Sequence, residues 1–204
     1  LMRILRYLLR FPLWGDESAL AVNLLERGYL DLLRPLDYQQ VAPPLFMWIE
    51  LWITRQLGFH EWSLRTFPFA CSVASVLLFC HMTGLVFGGV QFGKRRLDGG
   101  RSNESGDTLP HFRFAQLFAV AIFSVSYYRF RHGVEAKQYA SDLFVSLTLI
   151  VLALEWLRDR RRTGLLWCLV LAGPIALGLS HPATFVTGGI SVALLPIVWQ
   201  CRIK

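Results

Sequence analysis

"FPFACSVASVLLFCHMTGLVFGG", residues 67–89, contains no Asp, Glu, Lys or Arg. A helix that crosses the ~30 Å hydrocarbon core of a bilayer needs ~20 mostly apolar residues, so this stretch reads as a membrane span and decides the fold class. Four further windows repeat the signal, at about 112–128, 143–157, 165–179 and 183–200. A water-soluble bundle would have to hide all five behind a polar shell larger than a chain that is 54% hydrophobic supplies. The expectation is an all-α polytopic transmembrane helix bundle of about five spans. It forms a single membrane domain over 1–204, with a first extracytoplasmic loop at 12–65 that carries interfacial helices and a transmembrane bundle over 66–201.

The charges between the spans set the expected orientation. Lys94, Arg95, Arg96, Arg101 and Arg113 share one connection, Arg158, Arg160, Arg161 and Arg162 another, and Arg202 and Lys204 the tail. Arg27, Arg34, Arg55 and Arg65, with Arg129, Arg131 and Lys137, fall on the alternate side, so the partition is eleven against seven with Arg3, Arg6 and Arg10, ahead of Pro12, left out; counted outward these three would narrow it. Short loops rich in Lys and Arg mark the cytoplasmic face. The net charge of +7 is therefore read as topology and not as a nucleic-acid surface. The location that follows is the cell inner (plasma) membrane, multi-pass, with residues 12–65, 129–142 and the turn "LSHPA" at 179–183 on the extracytoplasmic side. Cys71, Cys80, Cys168 and Cys201 lie in or at the end of apolar windows without metal-type spacing, and read as packing residues.

One apolar stretch does not fit a span. "APPLFMWIELWITRQLGF", residues 42–59, holds Glu50 and Arg55 near its middle, and charges at bilayer depth cost ~2.5–3.5 kcal/mol each on insertion scales. Crossing here would also invert every later loop. An interfacial helix fits instead, begun by Pro43 or Pro44 in its first turn, where a missing N–H costs nothing.

The chemistry-bearing residues cluster on the outer side. "FPLWGDESALA", residues 11–21, sets Asp16 beside Glu17 at a helix start, where Asp16 serves either as a cap or as a reactive carboxylate. Arg34, Asp37, Tyr38, Gln39 and Gln40 precede the interfacial helix and suit a polar pocket at the lipid surface. "YYRFRHGVEAKQYASD", residues 127–142, groups Arg131, His132, Glu135, Lys137 and Tyr139, and is either a solvated connection with aromatic anchors or part of a site. His181 stands between Ser180 and Pro182 and is either a turn residue or a substrate contact.

Taken in order, "PLWGDESALAVNLLERGYLDLLRPLDYQQVAPPLF" (12–46), "LGFHEWSLRTFPF" (57–69), "VEAKQYASD" (134–142) and "LSHPATFV" (179–186) resemble the bacterial GT-C glycosyltransferases related to protein O-mannosyltransferases and aminoarabinose transferases. The resemblance runs from Phe11 to about Val186 and is to the N-terminal half of those enzymes, so the chain is expected to be a fragment. It implies an inverting transfer of a sugar from a polyprenyl-phosphate donor to a lipid, glycan or protein acceptor in an extracytoplasmic cavity. In that reading Asp16 is the catalytic base, with Glu17 as runner-up. Lys137 and Arg131 stabilise the phosphate that leaves, Glu135 orients Lys137 or shares a divalent cation with Asp16, and Gln40, Gln138, Tyr139 and His181 contact substrate. No ligand set requires a metal, and metal dependence stays open. Two other readings stand beside this one: a non-enzymatic membrane carrier or assembly subunit for polysaccharide or lipid export, and an inactive truncated product.

Overall fold

The structure is a computed structural model and describes residues 2–9, 11–97, 108–126 and 135–202. All regular structure among these is helical: α1 (Met2–Leu8), α2 (Gly15–Glu26), a 3-10 turn (Asp31–Leu33), α3 (Pro44–Leu57), α4 (Glu61–Leu97), α5 (Thr108–Val125), α6 (Tyr139–Arg158), α7 (Thr163–Leu179) and α8 (Ala183–Arg202). Three stretches are long and apolar enough to cross a membrane: Glu61–Gly88 in α4, Tyr139–Arg158 in α6 and Ala183–Gln200 in α8. The fold is that of a helical membrane protein. The apolar parts of the other two expected spans, Arg113–Val125 and Thr163–Leu179, are shorter.

α4 is the organising element. Its 37 residues rise about 55 Å, well beyond the hydrocarbon thickness, and the helix continues through Pro68. Its buried seam, Leu64, Pro68, Cys71, Ser72, Ser75 and Thr83, is built largely of small side chains at helical spacing. Small residues let membrane helices approach closely, and α4 packs most extensively against α6. Ser75 Oγ returns its hydrogen to the Cys71 carbonyl of its own helix (2.7 Å), so this polar group is satisfied without water.

Contacts along α4 give the directions of its neighbours. Glu155 near the end of α6 pairs with His81 near the end of α4's apolar run (2.8 Å), so α4 and α6 run parallel. α5 is antiparallel to α4: Phe123 stacks on Phe79 with centroids 4.0 Å apart, while the earlier Gln116 donates to the Cys80 carbonyl (3.0 Å). α7 returns along α6 and α8 runs back again, with Val145, Leu149, Ala176 and Ala183 in one apolar layer and Ala153, Trp156 and Leu194 in the next. The far end of the bundle carries Arg158 and Arg160–Arg162; the starts of α4, α6 and α8 share the opposite end. The segment ahead of Pro12 supplies α1. This helix lies along α4, where Arg3 Nη1 donates to the Ser72 carbonyl (2.8 Å) and the Tyr7 ring stacks on Phe69.

Residues 12–65 form a packed cap and not a loose loop. Leu20, Leu24, Leu32, Phe46, Met47, Leu51, Leu64 and Ala136 make one apolar core. Asn23, fully buried, accepts the Asp37 N–H (2.8 Å), and Trp48 donates its indole N–H to the Tyr29 carbonyl (2.7 Å). α3 begins with Pro43 as its cap and Pro44 as its first residue, as read, and spans 14 residues, about 21 Å. Its two charges divide. Arg55 lies over the Tyr29 ring at 4.8 Å, whereas Glu50 turns inward, 2% exposed, with neither carboxylate oxygen hydrogen-bonded.

Burial pushes the Glu50 carboxyl well above the usual carboxylate range, because a charge there has lost its water. A folded-state value above the unfolded one makes this group's contribution fully favourable below the unfolded pKa, about 4.3, and diminishing as pH rises through the folded value. Glu50→Gln is therefore expected to raise the melting temperature in detergent at neutral pH and to flatten its decline between acid and neutral pH. Parallel melts of both proteins across that range check this.

Candidate functional site

The site lies where the starts of α2, α4 and α6 meet. Trp14 precedes α2, and its N–H donates to Glu17 Oε2 (3.0 Å). A glutamate three residues on thus satisfies a helix-start donor. Asp16 and Glu17 are consecutive in α2 and so point about 100° apart. Asp16 is exposed and takes part in no described hydrogen bond or ion pair; it does not cap the helix.

Glu17 faces inward and is 2% exposed. Its Oε2 accepts from Arg65 Nη2 (2.9 Å), and its Oε1 accepts the Ala136 N–H (2.6 Å) and, more weakly, Arg65 Nε (3.4 Å). Arg65, 5% exposed, also donates through Nη1 to the Phe11 carbonyl (2.6 Å) and through Nη2 to that of Pro12 (3.4 Å). This corrects the expectation for Glu17 as second choice for the base: the carboxylate is occupied by an arginine and two backbone donors. It also reassigns Arg65, which sequence counting treated as one more loop charge. An arginine just ahead of an uncharged span, with two acids upstream, is the signal that could have found the pair.

The tie between Glu17 and Ala136 brings the second outer segment against the first. Trp14, Gly15, Asp16, Glu17, Glu135, Lys137 and Tyr139 line one cleft of about 360 Å³. Lys137 is 8% exposed, and its Nζ donates to Gln40 Oε1 at 2.6 Å. Gln40 is in turn anchored by its Nε2 on the Tyr38 carbonyl (3.2 Å). The backbone there is unusual: Tyr38 and Gln39 both hold positive φ, 57° and 54°. The neighbouring Gln138 bridges to the Val41 carbonyl (3.0 Å).

The remaining sequence candidates separate. His181 is exposed and is not among the cleft-lining residues. It sits at the turn that starts α8, where Ser180 Oγ accepts the Ala183 N–H (3.3 Å). The tight turn holds it there, so the expected contact with a substrate in the cleft is not made by this geometry. Arg131 and His132 lie outside the described residues. Among the described residues no group of three or more His, Cys, Asp or Glu is placed to hold a metal. A second cavity, of about 500 Å³, between α6, α7 and α8 is apolar, lined by Leu149, Leu169, Gly173, Ile190 and Leu194 among others.

The cleft thus opposes a free carboxylate to a buried ammonium. The carboxylate can accept a proton; the ammonium, partnered by a neutral amide, retains donors for an anion. Two partly exposed aromatic side chains, Trp14 and Tyr139, stand beside them.

Comparison of the chain with protein-family models, with curated proteins and with solved structures returned no match.

Exposure distinguishes the carboxylates experimentally. A water-soluble carbodiimide with an amine nucleophile is expected to modify Asp16 in the folded protein and to leave Glu17 and Glu50 unmodified until denaturation, as read by peptide mass spectrometry.

Proposed function

We propose that this protein is a membrane glycosyltransferase that moves a sugar from a polyprenyl-phosphate donor to an acceptor on the extracytoplasmic side. The observation that carries this reading is the cleft lined by both an unpaired carboxylate, Asp16, and a buried lysine, Lys137. Glycosyl transfer from a lipid phosphate needs those two kinds of group, a proton acceptor for the nucleophile and a cation for the departing phosphate. The sequence resemblance to GT-C enzymes supports the same assignment.

In the proposed reaction the acceptor's oxygen attacks the anomeric carbon while Asp16 takes the hydroxyl proton. The bond from that carbon to the phosphate oxygen breaks, and its electron pair leaves with the polyprenyl phosphate, where Lys137 offsets the growing negative charge. Attack opposite the leaving group inverts the anomeric centre. Gln40 holds the lysine, and Trp14 and Tyr139 offer aromatic faces to a sugar ring. Glu135, which also lines the cleft, orients Lys137 or adds a ligand for a divalent cation.

The topology proposed with it has α4, α5, α6, α7 and α8 crossing the inner membrane. The end with the cleft faces outward and the end with Arg158 and Arg160–Arg162 faces the cytoplasm. α2 and α3 rest at the outer interface, where the prenyl chain enters from the lipid.

Asp16→Asn is expected to lower transfer about 10²–10⁴-fold, the usual contribution of a general base, with unchanged membrane insertion. Lys137→Gln should lower kcat about 10²–10³-fold, as loss of one stabilising donor does. Both are read with radiolabelled polyprenyl-phosphate sugars. Full turnover in Asp16→Asn overturns the proposal.

A further inference from the structure

We infer that Glu17 and Arg65 act as a positioning pair that sets the separation between the Asp16 carboxylate and the Lys137 ammonium. The role in turnover rests on the transferase reading above; the structural coupling does not. Asp16 is covalently next to Glu17, and Lys137 is covalently next to Ala136, whose N–H is held by Glu17 Oε1 at 2.6 Å. The two opposed groups of the cleft are therefore each one residue away from a single buried junction.

The junction is stiff for physical reasons. Its carboxylate receives donors from three directions, the Trp14 N–H, the Arg65 guanidinium and the Ala136 N–H. The guanidinium is a planar fork that serves Glu17 and the Phe11 carbonyl together, a geometry an ammonium does not reproduce. Both partners are nearly excluded from solvent, with side-chain exposures of 7% and 2%. Water cannot substitute for either one, and loss of one leaves the other charge buried and unpaired. Arg65 itself sits in α4, the longest helix, so the pair fixes α2 and the start of α6 to the same rigid rod. Gln40 holds the lysine from the other side.

The pair predicts effects distinct from those of a base. Arg65→Lys retains the charge and loses the fork. Amide exchange over residues 135–138 in the membrane-embedded protein should accelerate by about tenfold or more, as local opening becomes easier. Transfer should fall by about a hundredfold, the effect of displacing a reacting group by ~1 Å, while the acid limb of the pH–rate profile stays in place. In a second arm Glu17→Gln is compared with Glu17→Gln/Arg65→Gln, which removes both buried charges. The double variant should recover exchange protection and part of the turnover lost in the single one. Unchanged exchange in Arg65→Lys overturns the inference. So does a double variant as inactive as Glu17→Gln with protection fully recovered, which would make Glu17 a reacting group. If Asp16→Asn retains turnover, the transferase reading fails while the exchange measurements still decide the coupling.

Discussion

A buried ion pair is an expensive way to join two helices, because each charge gives up its hydration and recovers it only through good geometry. Glu17 and Arg65 meet that condition by engaging every direction in which the carboxylate can accept and by turning the spare guanidinium donors onto the carbonyls of Phe11 and Pro12. Three pieces of chain distant in sequence converge there: α2 with the segment that leads into it, the start of α4 and the residues ahead of α6. The cleft is the space left in front of this convergence. Its two walls belong to segments more than a hundred residues apart, and without the junction the apolar packing around Leu64 and Ala136 and the bonds of Lys137 to Gln40 and of Gln138 to the Val41 carbonyl would be left to keep them in register.

The parts of this arrangement that were legible in the sequence are those that depend on local chemistry. Uncharged runs announce helices that lie in lipid, as in residues 67–89, and a Pro-Pro pair announces where α3 starts. Adjacent acids at 16 and 17 mark a helix start. What could not be read is long-range. "GDES" by itself does not tell which acid turns inward: Glu17 shares the helix face of Leu20, Ala21 and Leu24, and its partner, Arg65, lies forty-eight residues later. The role of Ala136 is carried by a backbone N–H, for which the side chain offers no sign. The small core beneath residues 12–65 was hidden because its members, Leu20, Leu32 and Phe46 among them, are scattered among charged neighbours without a single period. Glu50 was legible as a charge in an apolar stretch, but its inward rotation depends on the face α3 presents to α4.

Polar side chains within the bundle follow one rule throughout. Ser75, Thr83 and Thr148 turn their hydroxyls back to carbonyls of their own helices, which costs nothing in packing and asks nothing of a partner. Polar contacts between helices are few: His81 with Glu155 and Gln116 with the Cys80 carbonyl toward one end, the Glu17 junction at the other, and the Arg3 bond to the Ser72 carbonyl between them. The rest of the bundle is left to apolar and small residues, whose packing between helices in lipid depends on shape.

The paired left-handed residues ahead of Gln40 carry a further meaning. Tyr38 and Gln39 occupy a region that disfavours any side chain with a Cβ by roughly 1–2 kcal/mol per residue, and glycine would sit there without penalty. A tyrosine and a glutamine accept the penalty in exchange for a narrower choice of backbone shapes. The turn behaves like a bent spring clip: relaxed with glycine, it would close more easily during folding and hold the tip of the lysine less steadily afterwards.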